Sequence, residues 1–184
     1  MPTSKKPRKK GKRVTGRWSQ TSLYIDLDGL KELRQILIRI EIVTEMKLHK
    51  AECTIDDVQL IRDVLNFASM LVYAGHNIDE NAFEAEFGDE WVRVQDGFHT
   101  FYGKACHDNC FTCTASELEA IRTGVEIACL IIEAELDTEP AWCIKVYRYM
   151  KTITDAEPGR IKVDMTDIEK QIRKFDTSRD LRQH

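Results

Sequence analysis

From Leu30 onward, apolar side chains recur at three- and four-residue steps, the spacing of one face of an α-helix. Leu30, Leu33, Leu37, Ile40 and Val43 form the first stripe, while Lys31, Arg34, Gln35 and Arg39 fall mostly off it. Just upstream, Leu23, Ile25 and Leu27 alternate with Tyr24 and Asp26, which predicts a short extended segment leading into that helix. A second helix is announced at Thr54-Ile-Asp-Asp57, where the threonine can cap the backbone three residues on and Asp57 can reach back. Val58, Ile61, Leu65, Ala68 and Leu71 supply its buried face, and Gly75 its C-terminal stop. A third stretch runs roughly from Glu80 to Tyr102 on Phe83, Phe87, Trp91, Val94, Phe98 and Phe101. Gly88 and Gly97 each cost about 1 kcal/mol relative to alanine in a helix interior, so a break or kink near one of them is expected.

Two further threonine boxes follow, Thr114-Ala-Ser-Glu117 and Thr166-Asp-Ile-Glu169. The first opens an apolar helix through Leu118, Ile121, Val125, Cys129 and Ile132; the second opens a short amphipathic one with Ile168, Ile172 and Phe175. Between them Pro140, tolerated in a first turn, starts a helix carrying Trp142, Val146, Tyr149 and Met150. Glu157-Pro158-Gly159 is a turn signal. The fold predicted is mainly α, a helical bundle of about five or six helices with short extended edge segments. It divides into a flexible basic arm at 1–18, a helical domain at 19–157 and a charged tail at 158–184. The tail's apolar face is too small to stand alone and either folds back on the bundle or enters a partner's groove.

Composition adds bounds rather than an identity. A chain of 184 residues with 42% hydrophobic and 32% charged residues is an ordinary globular protein. No apolar run approaches the ~20 residues of a membrane span, and no secretory signal develops, so a cytoplasmic location is expected. The six cysteines are then expected to be reduced, with Cys129 and Cys143 read as small core residues. The net charge of −4 changes the picture most, because it is unevenly divided. Lys5, Lys6, Arg8, Lys9, Lys10, Lys12, Arg13 and Arg17 face no acid within residues 1–18, leaving 19 bases against 31 acids in the rest.

Candidate chemistry is sparse. Cys106, His107, Cys110 and Cys113 include the C-x2-C half-site of a zinc knuckle, but a second, distant pair is missing. The same pair resembles a thioredoxin-type redox motif without its βαβ setting, and a plain loop accounts for it as well. The five histidines lack metalloprotease spacing, and neither a nucleophile elbow nor a phosphate-binding glycine loop occurs, so no catalytic residue is assigned. The arm can bind nucleic acid by releasing phosphate counterions, or serve as a solubilising tail. Asp79, Glu80, Glu84, Glu86, Asp89 and Glu90 form an acidic run, continued by Glu133, Glu135, Asp137 and Glu139 after the fourth helix. Such a run is either a solvated helix face or a surface for a basic partner.

The leader Lys5-Lys6-Pro7-Arg8-Lys9-Lys10 and the helix opening Phe111-Thr-Cys-Thr-Ala-Ser-Glu-Leu-Glu-Ala-Ile121 resemble a class of small helical proteins encoded by proteobacterial phages and plasmids. The resemblance implies an accessory or counter-defence role and transfers no catalytic residue. The expectation is a non-enzymatic binding protein of a mobile element that engages a host protein or ribonucleoprotein complex, with inhibition of a nucleic-acid-guided defence system as one version. Nucleic-acid binding through the arm, or a small zinc-stabilised interaction domain, are the alternatives.

Overall fold

Two reciprocal threonine–carboxylate caps fix the starts of the two central helices. The computed structural model describes residues 27–74, 78–156 and 165–180. Thr54 accepts from the Asp57 N–H while Asp57 accepts from the Thr54 N–H, opening α2 (Ile55–Tyr73). Thr114 and Glu117 repeat the exchange at the head of α4 (Ala115–Thr138). Each box satisfies backbone donors that a helix leaves open, typically worth about 1 kcal/mol for the cap residue. The remaining helices are α1 (Leu27–Ile42), α3 (Glu80–Asp108), α5 (Pro140–Ala156) and α6 (Ile168–Asp180). The architecture is the expected helical bundle, and α2 packs against every other helix. Phe67, Met70, Leu71 and Ile61 on α2 are fully enclosed, with Ile40, Phe101, Ile121, Ile132 and Met150 closing around them.

Several local expectations are corrected. The first helix starts at Leu27, not Leu30, and no strand occurs among the described residues; residues 23–26 lie outside them. Leu27 is exposed, so its place in an alternating pattern does not reflect a buried strand face. Asp28 in the first turn and the helix-forming run after it carry the helix outward instead. The third helix is neither broken nor kinked into two, and it runs on past Tyr102 to Asp108. A Cβ at Gly97 would stand 2.8 Å from the Ala120 Cβ, so this glycine permits α3 and α4 to approach closely. The helix ends where Asn109 adopts a left-handed conformation (φ 51°), a residue type that tolerates it. The box at Thr166–Glu169 does not form: Asp167 is left-handed (φ 53°), α6 begins at Ile168, and Glu169 turns to Arg173. The predicted stop at Gly75 and the turn at Glu157–Gly159 lie outside the described residues.

The tail helix folds back on the bundle. Ile168 and Ile172 are buried, and Phe175 meets Tyr149 of α5 edge-on at 5.5 Å. At the other end, α1 passes into one π-helical turn, Val43–Lys47, closed by the Leu48 N–H on the Val43 carbonyl at 2.8 Å. The wider turn swings Lys47 to the Asp57 carboxylate at 2.9 Å, tying α1 to the α2 cap. Thr44 bonds back to the Ile40 carbonyl, so its hydroxyl is buried without loss.

Candidate partner-binding groove

The π turn leaves a channel between the end of α1 and the middle of α4. Its α1 side is Glu41, Ile42, Glu45 and Met46; its α4 side is Arg122, Val125, Glu126 and Cys129, around a volume of about 420 Å³. Ile42 is 46% exposed and Met46 56%. Ile38, one turn before Ile42 on α1, and Leu130, next to Cys129 on α4, are also exposed, at 60% and 65%. Isolated exposed apolar residues are ordinary, but two large ones lining one channel are the kind of surface that marks an interaction site.

Carboxylates rim this apolar floor. Arg122 reaches across the channel to Glu45 at 2.6 Å. Glu41, Glu126 and Glu133 have no ion-pair partner among the described residues, and all three act on Cys129. Partial burial, and then the fields of Glu133, Glu41 and Glu126, push that thiol up to about 11. Cys129, expected in the core, therefore stands half-buried at the groove wall as a neutral thiol. Glu133, Glu135, Asp137 and Glu139 do not follow the fourth helix as a run: the first three lie in its last turns, and Glu135 is buried.

The acidic run 79–90 is dispersed by the helix. Asp79 caps α3, accepting from the Asn81 and Ala82 N–H groups at 2.9 and 3.3 Å. At about 3.6 residues per turn, Glu80 and Glu84 fall on one flank of the buried Phe83–Trp91 stripe, and Glu86 and Glu90 on the other. Glu84 and Glu80, after burial, raise the Tyr73 phenol, while Glu90 lies 3.7 Å from Arg93. Asp89, one turn on from Glu86, lies beside Glu86 and Glu90, so the six acids divide between the two flanks rather than sharing one face. Sequence reading missed the groove because its acids come from two helices far apart in the chain. The available signal was the apolar spacing Ile38–Ile42–Met46, which runs alongside the core stripe rather than within it.

The cysteine cluster is divided in the same way. Cys106 and His107 are exposed on the last turn of α3, while Cys110 and Cys113 follow the left-handed Asn109. No group of three or more donors placed to hold a metal ion occurs among the described residues. Cys110 is held below the ordinary thiol range by the hydrogen bond with Thr112 (3.1 Å), helped by the Thr112 backbone. Burial and Glu117 push Cys113 up to about 12. The basic arm, Lys5 to Arg17, lies outside the described residues.

A second concavity, about 340 Å³, lies between α1, α2 and α5. Glu32 accepts there from Tyr147 at 2.9 Å and Lys151 at 2.8 Å, and Asp63 pairs with Arg62 at 2.7 Å. The Glu32 contacts staple α1 to α5, while the Arg62–Asp63 pair lies within α2. No helix among the described residues is long and apolar enough to cross a membrane. Compared with known protein families, curated proteins and solved structures, the chain gives no match.

Proposed function

We propose that this is a non-enzymatic binding protein that takes a cationic amphipathic segment of a protein partner into the groove between α1 and α4. The observation that carries this reading is the pairing of the exposed Ile42 and Met46 of the groove, with Ile38 and Leu130 exposed on the same two helices, with the carboxylates Glu41, Glu126 and Glu133, which have no ion-pair partner among the described residues. Fully covering one such apolar side chain contributes roughly 1.5–3 kcal/mol, whereas an exposed ion pair contributes about 0.2–1. The floor therefore supplies affinity, and the rim supplies orientation and rapid encounter. Phosphate is disfavoured by the same carboxylates. A symmetric dimer across this face is disfavoured too, since it would set the acidic rim of one copy against that of the other. A helix or extended segment with apolar anchors and flanking lysine or arginine fits both features.

With the resemblance of the leader and of residues 111–121 to phage and plasmid proteins, the proposed partner is a host protein or ribonucleoprotein complex. Inhibition of a nucleic-acid-guided defence complex is the version in which the groove captures a basic element that otherwise faces phosphate. The test is anisotropy titration of a labelled synthetic helix bearing leucines at four-residue spacing and lysines on its flanks. Ile42→Ser with Leu130→Ser is expected to weaken binding about tenfold, while Val92→Ser, an exposed apolar site on α3, leaves it unchanged. Equal binding by all three chains contradicts the proposal.

A further inference from the structure

We infer that the cavity between α1, α2 and α5 is a binding site for a small organic cation, an amine carried on an apolar body. The site shares no lining residue with the α1–α4 groove and does not depend on the groove's role.

Shape is the first argument. The cavity measures about 340 Å³, within the roughly 300–1,000 Å³ of small-molecule sites. Val64, Phe67 and Met150 line it with fully buried side chains, and Ile36 and Leu60 are partly buried beside them. Tyr147 meets Phe67 edge-on, with ring centroids 5.6 Å apart, so two aromatic side chains belong to the same lining. Such a lining suits a compact apolar body, and covering the exposed parts of Ile36 and Leu60 supplies affinity.

Charge is the second argument. Three carboxylates line the cavity, Glu32, Asp63 and Asp155, against two cations, Arg39 and Lys151. Both cations are engaged: Lys151 holds Glu32 at 2.8 Å, and Arg39 lies 3.6 Å from Asp57, which is not part of the lining. Asp155, exposed near the end of α5, has no ion-pair partner among the described residues, and its field acts on Asp63, Tyr147 and Lys151. Asp63 pairs with Arg62, but both bonds, at 2.9 and 2.7 Å, fall on Oδ1. Burial raises the Asp63 carboxyl against the pull of Arg62, and Asp155 adds to the rise. A carboxyl left partly unbalanced in a concave, apolar setting is a mark of a ligand site.

A ligand ammonium near Asp63 and Asp155 provides the missing positive charge. An anion meets repulsion from the same two acids. A bare divalent ion finds no group of three donors placed to hold it among the described residues, and it gains nothing from the apolar lining.

The experiment titrates the full chain, its methionine methyls labelled with ¹³C, with phenethylamine, which is protonated at neutral pH. Phenethyl alcohol and phenylacetate are the neutral and anionic probes of similar size. The Met150 methyl reports on the cavity and the Met46 methyl on the groove. The expected result is a saturating shift at Met150 without a matching one at Met46, with the alcohol about tenfold weaker and phenylacetate weaker still. Asp155→Asn, at an exposed position, is expected to weaken the amine about threefold and to leave the alcohol unchanged. No shift at Met150, equal affinity for amine and alcohol, saturation at Met46 instead, or an unchanged amine affinity in Asp155→Asn would each overturn the inference.

Discussion

At Gly124 the space for a side chain is already taken. A Cβ there would overlap the Val94 Cγ1 of α3 and press on Leu65 of α2, at the point where three helices meet. Gly124→Ala is therefore expected to destabilise the fold by about 1–3 kcal/mol despite alanine's better helix propensity. Gly88 is the contrast: its Cβ would meet only the Glu84 Cβ at 3.8 Å, so Gly88→Ala is expected to stabilise by roughly 0.5–1 kcal/mol. Urea unfolding of both variants checks the opposite signs. Among the thiols, Cys110 has the lowered pKa, held by Thr112, whereas burial first of all raises Cys53 and Cys129 to about 11 and Cys143 and Cys113 to about 12. Iodoacetamide at neutral pH should therefore label Cys110 well ahead of Cys113, three residues away, because the thiolate is the reacting form. Peptide mapping that found the reverse order would contradict this assignment.

The capping boxes carry a pH signature at the level of the elements. Burial opposes the charge of Asp57, but the Thr54 backbone and side chain and Lys47 outweigh it and hold the carboxyl below its usual value. Glu117 is lowered in the same balance by Lys104 and Thr114, and Glu32 by Lys151. A carboxyl lowered in the folded chain contributes stability above its unfolded pKa of about 4, and that contribution disappears as pH falls through the native value. Asp63, raised by burial against the pull of Arg62, works in the opposite sense. Net stability is expected to fall below about pH 4, with Asp57→Asn costing about 1–3 kcal/mol at neutral pH and progressively less in acid. Urea midpoints across pH 3–7 measure it. These two boxes were legible in the sequence because the contacts are local, three residues apart. The unbroken α3 was not, since it depends on Ala120 fitting against Gly97 across the interface. Nor was the failed box at Thr166, where the left-handed Asp167 and the docking of Ile168 and Ile172 set the start of α6.

Over the whole molecule, helical periodicity determined the class of fold because the core stripes of α1 to α6 follow it closely. The charge split between leader and body was also plain in composition. The acidic groove was not, because Glu41 and Glu45 stand opposite Glu126 only once α1 and α4 pack. The acidic run on α3, conspicuous in sequence, is spread around its helix and partly engaged by Asn81, Tyr73 and Arg93. The most direct measurement compares two full-length variants in nuclease-treated pull-downs from a proteobacterial lysate, quantified by mass spectrometry against wild type. One carries Glu41→Lys, Glu126→Lys and Glu133→Lys in the groove; the other reverses Glu84, Glu86 and Glu90 on α3. The account predicts that a stoichiometric partner of the wild type is lost from the groove variant and kept by the α3 variant. Loss from the α3 variant with retention by the groove variant would contradict it.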